Sequence, residues 1–396
     1  MKIAFLLRLW PVFGGGETVT ISLANEFIKR DMEVYVLYLG YNERKDLPYI
    51  NEKVKAIQVS QIKCDINKLH FSKEETTFAI KYLQDFVHKN KIDIIINQWW
   101  PSEATKGLIS MCGIIKCLHM SLFLPSNYSH LKLISRNGYK KLLGPTLYYY
   151  LHKRSRCRQV EYDLQYCDKY IFLAPSFMKD YIKFRNANQS TINKLDYCYN
   201  PNTFDKTIST TELTKKENIV LFVGRMFDSH KNVSAMLRIW KNVEQTHKFN
   251  NWKFILVGDG KDLPTFKQKA QDLKLKNIEF TGQKYPLEYY NRAKLFLMTS
   301  THEGWGMTLV ESQQCGTVPI VMDTFSSLHE IIQNRENGII VSMNDEQTFE
   351  QELINLMSND DFRIKMASKG LETCKRFSIE KVADRWENIF QNIKKS

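Results

Sequence analysis

Ten short apolar runs, five in each half of a 396-residue chain, constrain what it can fold into. The first half carries Ile3–Leu7, Val34–Tyr38, Ile92–Ile96, Ile114–Leu118 and Tyr170–Leu173. The second carries Ile219–Val223, Phe254–Val257, Ile278–Phe280, Leu295–Met298 and Val318–Val321. Helical stretches separate them. Strands apolar on both faces need cover above and below, which parallel sheets between helix layers provide. The expected fold class is α/β, with two doubly wound, Rossmann-like domains. The expected boundaries are 1–200 for the first domain and 201–377 for the second, with the break at Asn200-Pro201-Asn202 before a polar stretch. Residues 378–396 read as a closing helix that packs toward the first domain. Ser378 is its N-cap, and Ile379, Val382, Trp386, Ile389, Phe390 and Ile393 form one apolar face.

Composition narrows the class. A hydrophobic content of 43% is ordinary for globular proteins, and no run reaches the ~18 apolar residues of a membrane span. The first residues read as a strand, not a secretory signal. Eight cysteines are scattered without a C-x-x-C pair, so no zinc site, disulfide framework or other metal site is expected, and a cytoplasmic setting fits. The net charge of +13 is uneven. Ala104–Val160 has no acid and ten basic residues: Lys106, Lys116, Lys132, Arg136, Lys140, Lys141, Lys153, Arg154, Arg156 and Arg158. Tyrosines are interleaved. An electropositive face is expected there, able to meet anionic lipid, nucleic acid or a polyanionic substrate. Without zinc spacing, an RNP-like motif or a basic heptad helix, the nucleic-acid reading ranks low.

The chemistry concentrates at strand ends. Glu303 and Glu311 bracket Gly304-Trp305-Gly306-Met307-Thr308-Leu309-Val310, placing one carboxylate after a strand and the other about one turn into a helix closed by Gly316. The glycines leave room for a ligand at the helix N-terminus. Amide donors and carboxylate acceptors together suit an anionic, hydroxyl-rich ligand such as a sugar nucleotide. Arg225 follows a strand and Lys231 lies shortly after it, so the two can bracket a diphosphate or stay solvated. His119, at a strand end, can serve a sugar hydroxyl or be structural. Trp99 and Trp100 suit a sugar-stacking wall or the core. Gly14-Gly15-Gly16-Glu17 precedes a helix expected at Thr18–Phe27 and is either a phosphate approach or plain punctuation. Neither it nor Gly258-Asp259-Gly260 completes a dinucleotide fingerprint.

Assembled, these residues resemble the retaining glycosyltransferases of family 4, with the GT-B fold, over nearly the whole length. The E-x7-E motif from Glu303 to Glu311 is the most specific part. The resemblance implies two domains facing a cleft and closing over the donor, a nucleotide sugar of the UDP-hexose type, and no cofactor or bound metal. No Asp-x-Asp sequence occurs in the chain. It implies that Glu303 contacts donor-sugar hydroxyls and that amides around Gly306, Met307 and Thr308 hold sugar and phosphate. By the same likeness Glu311 meets the ribose, Gln283 and Lys284 lie near the base, and Gly15 and Gly16 approach the donor phosphate. Arg225 and Lys231 neutralise the diphosphate, and His119 stands near the transferred sugar. The implied acceptor is a surface-polysaccharide, lipopolysaccharide or lipid-linked glycan. Residues 130–158 are the candidate contact with an anionic membrane, as a peripheral protein on its inner face. An epimerase or phosphorylase of the same fold is the alternative.

Overall fold

The computed structural model describes residues 1–11, 15–41, 49–65, 70–124, 145–204 and 208–394. The chain divides into two compact units. The described parts of Met1–Phe123, Gly138–Thr203 and Phe377–Ser396 make one, and those of Phe204–Arg376 the other.

The first unit is built on seven parallel strands: β1 (Lys2–Leu9), β2 (Glu33–Gly40), β3 (Lys55–Gln58), β4 (Ile94–Asn97), β5 (Gly113–Cys117), β6 (Lys169–Phe172) and β7 (Leu195–Tyr197). Their order is β3-β2-β1-β4-β5-β6-β7. All five expected runs of this half are strands, and the central ones are buried on both faces. Ile3, Phe5, Leu7, Ile94 and Ile96 are fully covered. The final helix, Ile379–Lys394, lays its apolar face on helix Gly15–Lys29, where the Phe390 and Phe27 rings meet edge to face at 5.6 Å. Arg30 fixes the pair by donating to Asp384 at 2.7 Å and Glu387 at 2.8 Å.

The second unit has six parallel strands: β8 (Glu217–Val223), β9 (Lys253–Val257), β10 (Ile278–Gly282), β11 (Ala293–Met298), β12 (Val318–Asp323) and β13 (Ile339–Ser342). Their order is β10-β9-β8-β11-β12-β13. Helix Val233–Gln245 buries Met236, Leu237, Trp240 and Val243 on one stripe against the sheet. At the amino end of the strands, just before β8, the buried Lys216 ammonium donates to the carbonyls of Tyr290, Asn291 and Ala293 and to the Thr317 hydroxyl, at 2.7–3.1 Å. It closes the C-terminus of helix Leu287–Arg292, whose last carbonyls lack intrahelical donors.

Strand order fixes where a ligand can sit. In the first unit the chain runs one way from β1 to β2 and β3, then crosses to β4. In the second it does the same from β8. In doubly wound sheets the crevice beyond the carboxyl ends of the strands at that reversal is the binding place. The segments after β1 and β4, and after β8 and β11, therefore border the candidate binding places.

Candidate functional site

In the second unit the segment after β8 and the segment after β11 are sewn together. Thr299 Oγ1 donates to the Asn232 carbonyl at 2.9 Å, and Thr301 N donates to the His230 carbonyl at 2.8 Å. His230 Nε2 lies 2.7 Å from the His302 carbonyl, and the two imidazoles stack at 4.2 Å. Asn232, left-handed at φ 50°, turns the chain from the short helix Asp228–Lys231 into Val233–Gln245. The result brings Lys231 Nζ to 2.5 Å from Glu303 Oε1 in a buried ion pair. Burial pushes the Glu303 pKa up, but Lys231 and then His230 outweigh it and hold the carboxyl below its ordinary value. Burial and Lys231 keep the His230 imidazole low, against the pull of Glu303. Arg225, in contrast, is exposed, and its charge helps to lower the His230 pKa.

Two glycines explain how the next loop comes so near. A Cβ on Gly258, at φ +144°, would stand 1.9 Å from the Gly224 carbonyl oxygen, and one on Gly260 would stand 2.5 Å from that of Met226. Gly258-Asp259-Gly260 is thus a close-approach device between the β8 and β9 ends.

After Glu303, Gly306 caps helix Met307–Gln314 at φ 81°. The amides of Met307 and Thr308 fall in its first turn, where N–H groups have no intrahelical acceptor. The Thr308 hydroxyl is buried with no hydrogen-bond partner among the described residues. Glu311, one turn further, is buried and accepts from the Tyr290 hydroxyl at 3.0 Å. The motif's two carboxylates are thus held by different partners, one by a lysine and one by a tyrosine. Gln283 and Lys284 are exposed just after β10. No group of three or more His, Cys, Asp or Glu side chains able to hold a metal ion occurs among the described residues.

In the first unit Gly14 lies outside the described residues. Gly15 and Gly16 are not a loop before a helix at Thr18, as expected, but the first turn of helix Gly15–Lys29. A Cβ on Gly16 would lie 3.2 Å from Trp99 Cζ2, so the indole occupies the space a side chain would take. Trp99 follows β4, with its carbonyl accepting from Arg8 Nε at 3.1 Å. Its ring stacks on His119 at 5.1 Å. Trp100 does not join this wall: its indole is in the core and donates to the Leu7 carbonyl at 2.7 Å.

Both His119 nitrogens are buried without partners among the described residues, and burial, reinforced by Lys116, pushes its pKa down to about 4. The unfolded imidazole titrates near pH ~6.5. Between those values the unfolded chain binds the extra proton, so stability falls as pH drops through this window, by roughly 3 kcal/mol in full. A His119→Gln protein is expected to lose ~2 kcal/mol less than wild type between pH 7 and pH 4.5 in urea unfolding. Parallel pH profiles would contradict this.

The basic stretch is divided. Lys132, Arg136, Lys140 and Lys141 lie outside the described residues. Lys116 is half-buried, at the end of β5, and donates to the Trp100 carbonyl at 2.7 Å. On helix Pro145–Asp163, Arg154 and Arg158 are exposed on the same face as Leu147, Tyr150 and Leu151.

Sequence reasoning missed His230, His302, Thr299, Thr301 and Tyr290. The two histidines adjoin Lys231 and Glu303 in the chain, which is the signal that could have found them.

Residues 204–373 match the family model for glycosyl transferases group 1. The chain is 24% identical over 401 residues to the GalNAc-alpha-(1->4)-GalNAc-alpha-(1->3)-diNAcBac-PP-undecaprenol alpha-1,4-N-acetyl-D-galactosaminyltransferase of Campylobacter jejuni, covering 100% of this chain and 99% of that protein. It is 24% identical over 346 residues to the lipopolysaccharide 1,6-galactosyltransferase of Escherichia coli, covering 85% and 84%. Among solved structures, Anabaena HepE in complex with UDP aligns with a TM-score of 0.69 at 15% identity, covering 99% of this chain and 100% of that one. The two parallel, doubly wound units and this likeness establish the GT-B fold.

Proposed function

We propose that this chain, whose second unit carries the group 1 glycosyltransferase match, moves a hexosyl unit from a nucleotide sugar to an acceptor hydroxyl with retention at the anomeric carbon. The observation that carries this reading is the convergence at the β8–β11 reversal. Arg225, the buried Lys231–Glu303 pair and the open helix N-terminus at 306–308 gather there. Cations and amides suit a diphosphate, and the carboxylate suits sugar hydroxyls. UDP-hexoses are the first donors to test, given the UDP in the HepE complex.

In this account the bond from C1 to the diphosphate oxygen breaks as the acceptor oxygen attacks the same face. The acceptor proton passes to the departing phosphate oxygen. Arg225 and Lys231 stabilise the charge that gathers on the diphosphate. Amides of Gly306, Met307 and Thr308 hold sugar and phosphate, Glu311 the ribose, and Gln283 and Lys284 the base. The first unit takes the acceptor, with Gly15, Gly16 and His119 facing the reacting groups. No metal or cofactor takes part. The named acceptors of the relatives, an undecaprenyl diphosphate glycan and a lipopolysaccharide, point to a lipid-linked or surface glycan.

Product analysis decides among reactions that share the fold. Incubation with nucleotide sugars and lipid-linked glycans should give a glycosylated acceptor with the donor's anomeric configuration. Free epimerised sugar or sugar 1-phosphate would assign an epimerase or phosphorylase.

No helix among the described residues is long and apolar enough to cross a membrane. The exposed Leu147, Tyr150 and Leu151, ahead of Arg154 and Arg158, suit peripheral attachment to the anionic cytoplasmic leaflet. An Arg154→Glu/Arg158→Glu protein is expected to float with anionic vesicles at least about tenfold less well. Unchanged flotation would remove the membrane from the account.

A further inference from the structure

Trp99 Nε1 and both nitrogens of His119, in the first unit, are buried and have no hydrogen-bond partner among the described residues. Buried polar groups are nearly always paired, and each orphan is costly. These belong to two rings stacked on each other, on the loops beyond the β4 and β5 ends. Gly16 is the residue that leaves the indole room.

We propose that Trp99 is a specificity-determining residue whose indole N–H, stacked beside His119, grips a hydroxyl of a sugar ring. The reason is the donor and acceptor pattern. The indole offers one N–H and no acceptor. A neutral imidazole offers one N–H and one lone pair. That lone pair needs a proton donor, which a phosphate or carboxylate anion lacks and a sugar hydroxyl has. The two N–H groups then bind hydroxyl oxygens. Burial first, and then the charge of Lys116, disfavour imidazolium and so keep the pattern intact. The inference rests on the glycosyltransferase reading and goes further by naming Trp99 as the residue that reads a hydroxyl. The ring is either the donor's hexose or the acceptor's terminal sugar.

The test uses the full chain, a UDP-hexose found to raise the wild-type melting midpoint, and the lipid-linked acceptor it glycosylates. Trp99→Phe keeps an aromatic ring over His119 and removes only the N–H. It is expected to lower kcat/KM by roughly tenfold or more, while UDP alone binds as to wild type. A loss seen also in donor hydrolysis without acceptor assigns the donor hexose. A loss confined to the acceptor KM assigns the acceptor sugar. Monodeoxy substrates supply the readout a merely structural role would not move. One deoxy position should cost wild type a similar factor and cost Trp99→Phe almost nothing more. Gly16→Ala, which crowds the indole, should shift the same parameter. Unchanged kcat/KM in Trp99→Phe, or equal loss for every deoxy substrate in both proteins, overturns the proposal. If no UDP-hexose or other nucleotide sugar stabilises the wild type, the glycosyltransferase reading itself fails, and this inference falls with it.

Discussion

A Glu303→Ala protein is expected to lose transfer by roughly 10²–10³-fold while binding a nucleoside diphosphate at least as well as wild type. The two effects separate because of the ion pair. In the free protein Glu303 occupies Lys231 at 2.5 Å. Removing the carboxylate frees the ammonium for phosphate oxygens but takes away the acceptor assigned to the sugar. A loss of ~1–3 kcal/mol in stability is expected too, because a buried cation is left without its anion. Diphosphate affinity read by titration calorimetry, beside turnover, checks the split. Turnover within a few-fold of wild type would remove Glu303 from the site. Parallel loss of turnover and diphosphate binding would mean that its role is only to place Lys231.

Arg225→Ala is the second large effect and has the opposite signature. Arg225 is exposed, so its replacement should change stability by less than ~0.5 kcal/mol. Turnover should still fall roughly 10²–10³-fold, because a preorganised cation at the departing diphosphate acts where charge develops. Diphosphate affinity should fall with it, unlike in Glu303→Ala. Arg225→Lys should restore only part of the activity, since an ammonium lacks the guanidinium's bidentate geometry. Full activity in Arg225→Ala, measured at saturating donor, would defeat the assignment.

Much of the fold was legible because burial on both faces leaves a mark in the sequence. The ten apolar runs are all strands, and Ile3–Leu7 and Leu295–Met298 lie at the centres of their sheets. The strands that escaped are β3, β7 and β13, at sheet edges. Lys55–Gln58 is mostly exposed and Leu195–Tyr197 only three residues long, so neither carries an apolar run to notice. The candidate site was legible where chemistry follows chain order, in the strand, carboxylate, glycine and helix of 293–314. It was illegible where it depends on pairing across the sheet. Nothing in the sequence says that Lys231 meets Glu303, that Tyr290 meets Glu311, or that Trp99 lies on His119. Lys116 misled for the same reason: its place in an acid-free stretch suggested a free surface charge, and it is half-buried against the Trp100 carbonyl.

Thermal unfolding of wild type and Arg225→Ala with a series of nucleotide sugars tests whether the second unit holds its donor through Arg225 and the Lys231–Glu303 pair. A ligand that binds only the folded state stabilises it by ~2.7 kcal/mol at a hundred times its Kd. At least one nucleotide sugar is expected to raise the wild-type Tm by a few degrees and to leave Arg225→Ala almost unmoved at the same concentration. No shift with any of them, or an equal shift in both proteins, would contradict it.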